Sequence, residues 1–312
     1  MTRNRTIEVL SDPRDRPSDD RQFVSALARG LRVLRAFSSG HETLSNRTLA
    51  DRTALSKPTI SRLTYTLSRL GYLSHDRDTG RYRLGPGALS LGYASLSNLD
   101  VRQTARPLMQ GLAEYAGASV ALCARDGLSM IYLEIRRSPH AVGLGFDIGD
   151  RVPLAVTGVG RAYLAALSDA ARAPILEEIR RSDPGAWPKV RRGIDIAISD
   201  IQKRGFCTSM GDWMREIHST GVPLKTQTPY GILALNIGGL ASSLPVSKIE
   251  KDLGPRLVAV AGRVDELLQA SGYKSMWEGD VAPNGAWGDS LAVAARSSPE
   301  TSAPKRVPIS KA

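Results

Sequence analysis

Pro58, Ser61, Arg62, Tyr65 and Arg69 fall on one stripe of a helical wheel, with Lys57 and Thr59 at its start. Cations and short hydroxyl donors at the opening of a helix are what contact with base edges requires in a major groove about 12 Å wide. Lys57, Ser61 and Arg62 suit the base-edge role, and Tyr65 can reach a base or a sugar. Farther along, Arg81 and Arg83 alternate with Tyr82 and Leu84, so a strand there is apolar on one face and cationic on the other. Cations placed that way neutralise phosphates without reading sequence. The bland alternative is a solvated basic face on an ordinary helical bundle.

Covalent chemistry has one candidate. Cys207 can be drawn as a nucleophile with His218 as its base. Nothing supplies a third, orienting group, and the spacing fits no cysteine-protease signature. A lone cysteine in a strand is more often a small buried hydrophobe. His41, His75, His140 and His218 show no metal-ligand spacing, and no Gly-rich phosphate loop is present. Hence no catalytic residue, metal or cofactor is expected.

The elements that must carry these residues are legible from capping and periodicity. Leu27, Leu31 and Leu34 repeat at helical spacing and predict an amphipathic helix that buries them. Ser45 caps a second helix over 46–53, and Ser56 caps a third whose buried stripe is Ile60, Leu63, Leu67 and Leu70. Gly71 stops that helix. Residues 72–73 and 81–84 flank a loop, 76–80, as a hairpin. Beyond Gly87, Leu89, Leu91, Tyr93, Leu96 and Leu99 make an apolar connecting segment. Asp126-Gly127 marks a second hairpin between 120–124 and 129–135. A strand is expected over 141–146, and helices open at Thr157 and Ser168. A further helix ends at Gly205, and strands pair at 219–224 and 231–237. A Ser247/Glu250 capping box precedes a last helix to Ala270. Hairpins interspersed with helices predict an α+β fold.

Charge agrees with this division. The 312 residues carry 42 Lys and Arg against 31 Asp and Glu, a formal +11, and that length accommodates two domains. Residues 21–83 hold 12 basic and 4 acidic side chains, whereas 84–271 are near balance, with 21 and 18. Basicity clustered on one segment points to nucleic acid. No apolar run of about 18 residues exists, so no membrane span is expected. The first twenty residues lack a signal-like apolar stretch, which predicts a cytoplasmic protein. Two cysteines are too few for a disulfide scaffold.

The stretch ALSKPTISRLTYTLSRLGYLSHDRDTGRYRLGPGALSLG resembles the winged helix-turn-helix of IclR-type bacterial transcription regulators. The shared residues are Ser56, Lys57, Thr59, Arg62, Leu63, Leu67, Gly71, Tyr72, Gly80, Tyr82, Leu84 and Gly85. The likeness continues through GDRVPLAVTGVGRAYLA and GFCTSMGDW, about residues 23–270. It implies an N-terminal winged helix-turn-helix joined by a linker helix to a GAF-like antiparallel-sheet ligand domain. The division it suggests is the DNA-binding domain over 21–85, the linker over 86–104 and an effector-binding and oligomerisation domain over 105–271. Composition makes the polar, Asp- and Pro-rich residues 1–20 a flexible arm and the Ser-, Ala-, Pro- and Gly-rich residues 272–312 a disordered tail.

The same resemblance implies a homodimer or dimer of dimers on double-stranded DNA with a palindromic operator, controlled by a small-molecule effector. DNA contact would come from Ser56, Lys57, Pro58, Thr59, Ser61, Arg62, Tyr65, Arg69, Arg81 and Arg83. Family effector contacts carry over to Leu144, Gly158, Val159, Ser209, Ile217, Ser219, Asn236 and Gly238. Gly158 and Val159 would offer N–H groups at a helix start to a carboxylate. Asp212, Glu216, Asn236, Gly238 and Ala155 depart from the usual family residues. Trp213, Met214 and Met210 suggest an aromatic ring, so the expected effector is a small organic or aromatic carboxylic acid. The alternatives are an enzyme using Cys207 and a sequence-blind architectural DNA binder.

Overall fold

The structure is a computed structural model and describes residues 23–37, 43–97, 100–139, 141, 145–273 and 275. The expected arm, most of the expected tail, Leu99 and Leu144 lie outside the described residues.

Helices α1 (Ser25–Arg35), α2 (Asn46–Thr53) and α3 (Lys57–Arg69) enclose a small core of Val33, Leu44, Leu49, Ile60 and Leu73. Ser45 Oγ accepts the Thr48 N–H at 3.2 Å and caps α2, worth about 1 kcal/mol. The tight turn into α3 passes through Ala54, the one non-glycine with positive φ (+53°) among the described residues. Gly71, at φ +77°, ends α3: the Tyr72 N–H donates to Leu67 O at 2.9 Å and the Gly71 N–H to Ser68 O at 3.1 Å. That pair of bonds closes the helix in a Schellman motif.

Two expected stripes are corrected. On α1 the buried positions are Gly30 and Val33, while Leu27 and Leu31 are 63% and 43% exposed. The helix is apolar on two sides, and Leu27 and Leu31 on the second side are left exposed among the described residues. On α3, Ile60 and Thr64 are fully buried and Leu70 is exposed. Thr64 can be buried because its hydroxyl donates to Ile60 O at 2.9 Å.

Strands β1 (Leu73–Asp76) and β2 (Arg81–Leu84) form the antiparallel wing. Leu44 adds a rung on its outer side through two bonds with Tyr82, at 2.9 and 2.8 Å. Helix α4 (Pro86–Ser97) follows, then α5 (Asp100–Ala116).

The rest is a six-stranded sheet. Its strands are β3 (Ser119–Asp126), β4 (Ser129–Arg137), β5 (Arg151–Pro153), β6 (Cys207–Met210), β7 (Ile217–Pro223) and β8 (Leu233–Leu240). They lie in the order β5-β4-β3-β8-β7-β6 and every neighbouring pair is antiparallel. Helices α6 (Gly158–Ala166), α7 (Asp169–Ser182) and α8 (Trp187–Arg204) cover one face, where Ala121, Cys123 and Ala234 meet Val159, Tyr163, Ile175 and Ile194. The other face packs Val120, Leu122, Leu235 and Ile237 on Met109 and Leu112 of α5 and on Leu257 and Val264 of α10 (Gly254–Ala270). The fold is α+β, as the hairpin pattern predicts.

Two local expectations differ. Over 141–146 the described residues form no strand; the edge strand is β5, too short at three residues to show a period. Ser247 makes no cap: α9 (Val246–Lys248) starts after Pro245, whose extended backbone (φ −62°, ψ 151°) occupies the N-cap. A π-helical turn, Ile249–Leu253, then leads into α10.

Candidate nucleic-acid interface and ligand cavity

The exposed side of α3 is assembled as the residue types require. Ser56, Lys57, Pro58, Ser61, Arg62, Tyr65 and Arg69 all face solvent, and Thr59 is half-buried. Tyr65 is 67% exposed, high for an aromatic ring with no binding role. Ser56 precedes the helix in extended conformation but makes no side-chain cap; its Oγ pairs with the Thr59 hydroxyl at 2.9 Å. The first-turn N–H groups of α3 therefore lack the side-chain acceptor that Ser45 gives α2, and they leave a partial positive charge at the exposed end.

The wing is braced from within. Asp76 Oδ1 accepts the Asp78 N–H at 2.9 Å and the Thr79 N–H at 3.3 Å, and Oδ2 accepts the Thr79 hydroxyl at 2.8 Å. The Thr79 hydroxyl, followed by those two amides, holds the Asp76 carboxyl below its ordinary pKa. His75 stacks on Tyr82 with ring centroids 4.5 Å apart. Arg81 and Arg83 are exposed, and Arg81 Nη1 donates to Thr43 O at 3.1 Å, which anchors that guanidinium beside α2.

The candidate effector residues divide into two groups. Asn236 and Gly238 line a cavity together with Ser119, Ala121, Tyr132, Ile135, Arg137 and Phe146, enclosing about 280 Å³ counted to its open mouth. One wall is aromatic: Phe146 stands edge-on to Tyr132 at 5.9 Å and lies against Trp213 at 5.6 Å. Asn236 is buried and its Oδ1 has no hydrogen-bond partner. Arg137 brings a cation to the same cavity, its guanidinium 3.9 Å from the exposed Asp147.

Gly158, Val159, Ser209, Ile217 and Ser219 stand outside that lining. Their polar groups satisfy one another around the start of α6. The Gly158 N–H donates to Ser219 Oγ at 3.1 Å, Ser209 Oγ donates to Val156 O at 2.7 Å, and Thr157 Oγ1 accepts the Gly160 N–H at 3.2 Å. Val159 is 1% exposed. Ile217 is buried at the start of β7. Met210 packs on the opposite face of the sheet, toward α10, and Met214 is half-buried in the β6–β7 loop. Trp213 alone of the three residues named for an aromatic ring reaches the cavity wall.

Sequence reasoning missed Tyr132, Ile135, Arg137 and Phe146. A bulge explains part of this: Leu122 pairs with Glu134 and Cys123 with Tyr132, so Leu133 is extra in β4 and strand parity changes there. A strict period-2 reading cannot follow that switch. Phe146, the lone aromatic of a Gly-rich run, is the available signal.

Cys207 and His218 lie on opposite faces of the sheet. Cys207 points at α6, with Sγ 3.4 Å from Gly158 O, and burial pushes its thiol up to about 12. His218 Nδ1 bonds Leu244 O at 2.9 Å on the α10 side. A nucleophile–base pair cannot form.

A helix-turn-helix with a cationic wing, joined to a helix-covered antiparallel sheet, defines a DNA-binding protein of the winged-helix class. The chain matches the IclR helix-turn-helix domain over residues 26–77 and the bacterial transcriptional regulator IclR C-terminal domain over residues 93–266. It belongs to the IclR family of transcriptional regulators, which are not enzymes. It is 32% identical to the HTH-type transcriptional regulator TsaQ1/TsaQ2 of Comamonas testosteroni over 254 residues, 80% of this chain and 90% of that one. An IclR family regulator from Brucella abortus shares 48% identity and a TM-score of 0.70, covering 80% of this chain and 95% of that one. An IclR homologue from Microbacterium hydrocarbonoxydans, solved in complex with 4-hydroxybenzoate, has the same fold at 21% identity and a TM-score of 0.63, over 79% of this chain and all of that one. No helix among the described residues is long and apolar enough to cross a membrane.

Proposed function

We propose that this chain is an operator-specific regulator whose DNA affinity is set by a small aromatic carboxylic acid bound in the cavity beneath Tyr132 and Phe146. The opening turns of α3 read base edges, with Arg62 as the main discriminating contact, and Arg81 and Arg83 hold phosphates. The observation that carries the ligand class is the cavity's composition. Its aromatic wall suits a flat ring, Arg137 suits a carboxylate, and the unpartnered Asn236 Oδ1 calls for a donor such as a hydroxyl.

The active unit is a homodimer, or a dimer of dimers, on a palindromic operator. Val24, Leu27 and Leu31 on and beside α1, and Leu89, Leu91 and Tyr93 on α4, are exposed apolar residues for which a second copy is the fitting partner. Two copies would place two α3 helices on half-sites about one helical turn, ~34 Å, apart.

A gel-shift with DNA flanking the protein's own gene, repeated with a panel of small carboxylic acids that includes 4-hydroxybenzoate, tests the whole reading. Expected is a retarded band outcompeted by operator but not random DNA, shifted by an aromatic acid and not by acetate. Equal competition by random DNA would instead favour the sequence-blind architectural binder.

A further inference from the structure

Beneath the cavity, on the far face of β4, Glu134 is 1% exposed and is held by three arginines. Arg102 and Arg106 of α5 each place Nη2 at 3.0 Å from Oε2, and Arg136 places Nη2 at 3.2 Å from Oε1. Arg102 and Arg106 are one turn apart, in the half of α5 nearer α4. The Leu133 bulge makes this arrangement possible. After it, Ile135 and Arg137 line the cavity on one face of β4, while Glu134 and Arg136 meet α5 on the other. Four consecutive residues thus carry a ligand wall and a buried ionic cluster, back to back.

We infer that Glu134 is the positioning residue that ties the effector cavity to α5, so that displacement of β4 by a ligand is passed to the helix that continues from the DNA-binding half. This rests on the reading of the cavity as the effector site. A buried carboxylate shared by two guanidiniums on one helix resists any sliding of strand against helix, because each lost bond strips a partner from a carboxylate that water does not reach. An apolar contact at the same place would let the two surfaces slip. One carboxylate thus serves three guanidiniums from two elements.

The test is hydrogen exchange of the full chain, read at the amides of residues 101–109. Two perturbations are applied on the cavity face: Ile135→Ala, and 4-hydroxybenzoate as the ligand probe. In the wild-type chain each is expected to change exchange in that half of α5 by about threefold or more. In Glu134→Gln the response disappears, while 4-hydroxybenzoate affinity by calorimetry stays within about twofold, since Glu134 does not line the cavity. A residue with a merely structural role would alter baseline exchange and leave the response intact. The inference is overturned if α5 responds equally with and without Glu134, or if it does not respond to Ile135→Ala in the wild type. Should Glu134→Gln unfold, Arg106→Gln, at a half-exposed position, keeps Glu134 paired with Arg102 and Arg136 and must still lower the response. If 4-hydroxybenzoate does not bind the wild type, the aromatic-acid reading falls, and the Ile135→Ala arm still decides the role of Glu134.

Discussion

The winged-helix region and the sheet region treat their polar groups in opposite ways. On α3 the side chains proposed to meet DNA point outward, and Lys57, Arg62 and Arg69 have no ion-pair partner among the described residues. Around α6 the hydroxyls of Thr157, Ser209 and Ser219 are spent on backbone groups within 3.2 Å. A surface that meets a polyanion loses little by leaving cations in water until the partner arrives. A buried site cannot leave polar groups open without a desolvation cost of about 1–3 kcal/mol each. Of the buried polar atoms left without a hydrogen-bond partner, Asn236 Oδ1 is the one in the cavity lining.

The strongest way to break this comparison is to damage the packed region alone. A Cβ on Gly221 would collide with the backbone O and C of Gly158. Strand β7 and helix α6 are both regular there, so neither backbone can give way cheaply. Gly221→Ala should destabilise the sheet domain by about 3 kcal/mol, read as a lower denaturant midpoint by tryptophan fluorescence. Unchanged stability would show that α6 can move off β7, and the close approach would lose its meaning.

On the open region, the test is which DNA loses affinity. Arg62→Ala should weaken operator binding by about 1–3 kcal/mol and random DNA far less, because a base contact carries the discrimination. Equal loss on both would remove its base-reading role. Arg81→Ala is a smaller and flatter change: operator and random DNA weaken alike, and the slope of log affinity against log salt falls by about 1. A selective loss on the operator would instead place Arg81 at a base.

The same contrast explains how much could be read without coordinates. The exposed cationic face of α3 was legible because residue type, helical period and the Ser45, Ser56 and Gly71 boundaries are local properties of the chain. The sheet was legible as α+β through Asp126-Gly127 and the caps at Thr157 and Ser168. The cavity was not. Asn236 and Gly238 came from family resemblance, whereas Ile135 and Arg137 face it only because of the Leu133 bulge. Ser209 and Ser219 have suitable chemistry, but their partners lie 53 and 61 residues away in sequence. Leu27 and Leu31 failed differently: an apolar stripe states that something is covered, not whether the cover is this chain or a second copy.

The smallest effect concerns the turn that aims α3. Ala54 sits at φ +53°, ψ 30°, where a Cβ crowds the following carbonyl at a cost of about 1–2 kcal/mol. Glycine there removes that strain but adds freedom to the unfolded chain, worth about 0.4–1 kcal/mol in the opposite direction. The strain term is the larger, so Ala54→Gly should stabilise the winged domain by roughly 0.5 kcal/mol. Operator affinity should stay level, because the turn keeps its left-handed geometry and α3 keeps its angle. A gain in stability with a loss of operator affinity would mean that alanine's stiffness, rather than the turn's shape, holds the reading helix in place, and the open region would then depend on strain as the packed region depends on close contact.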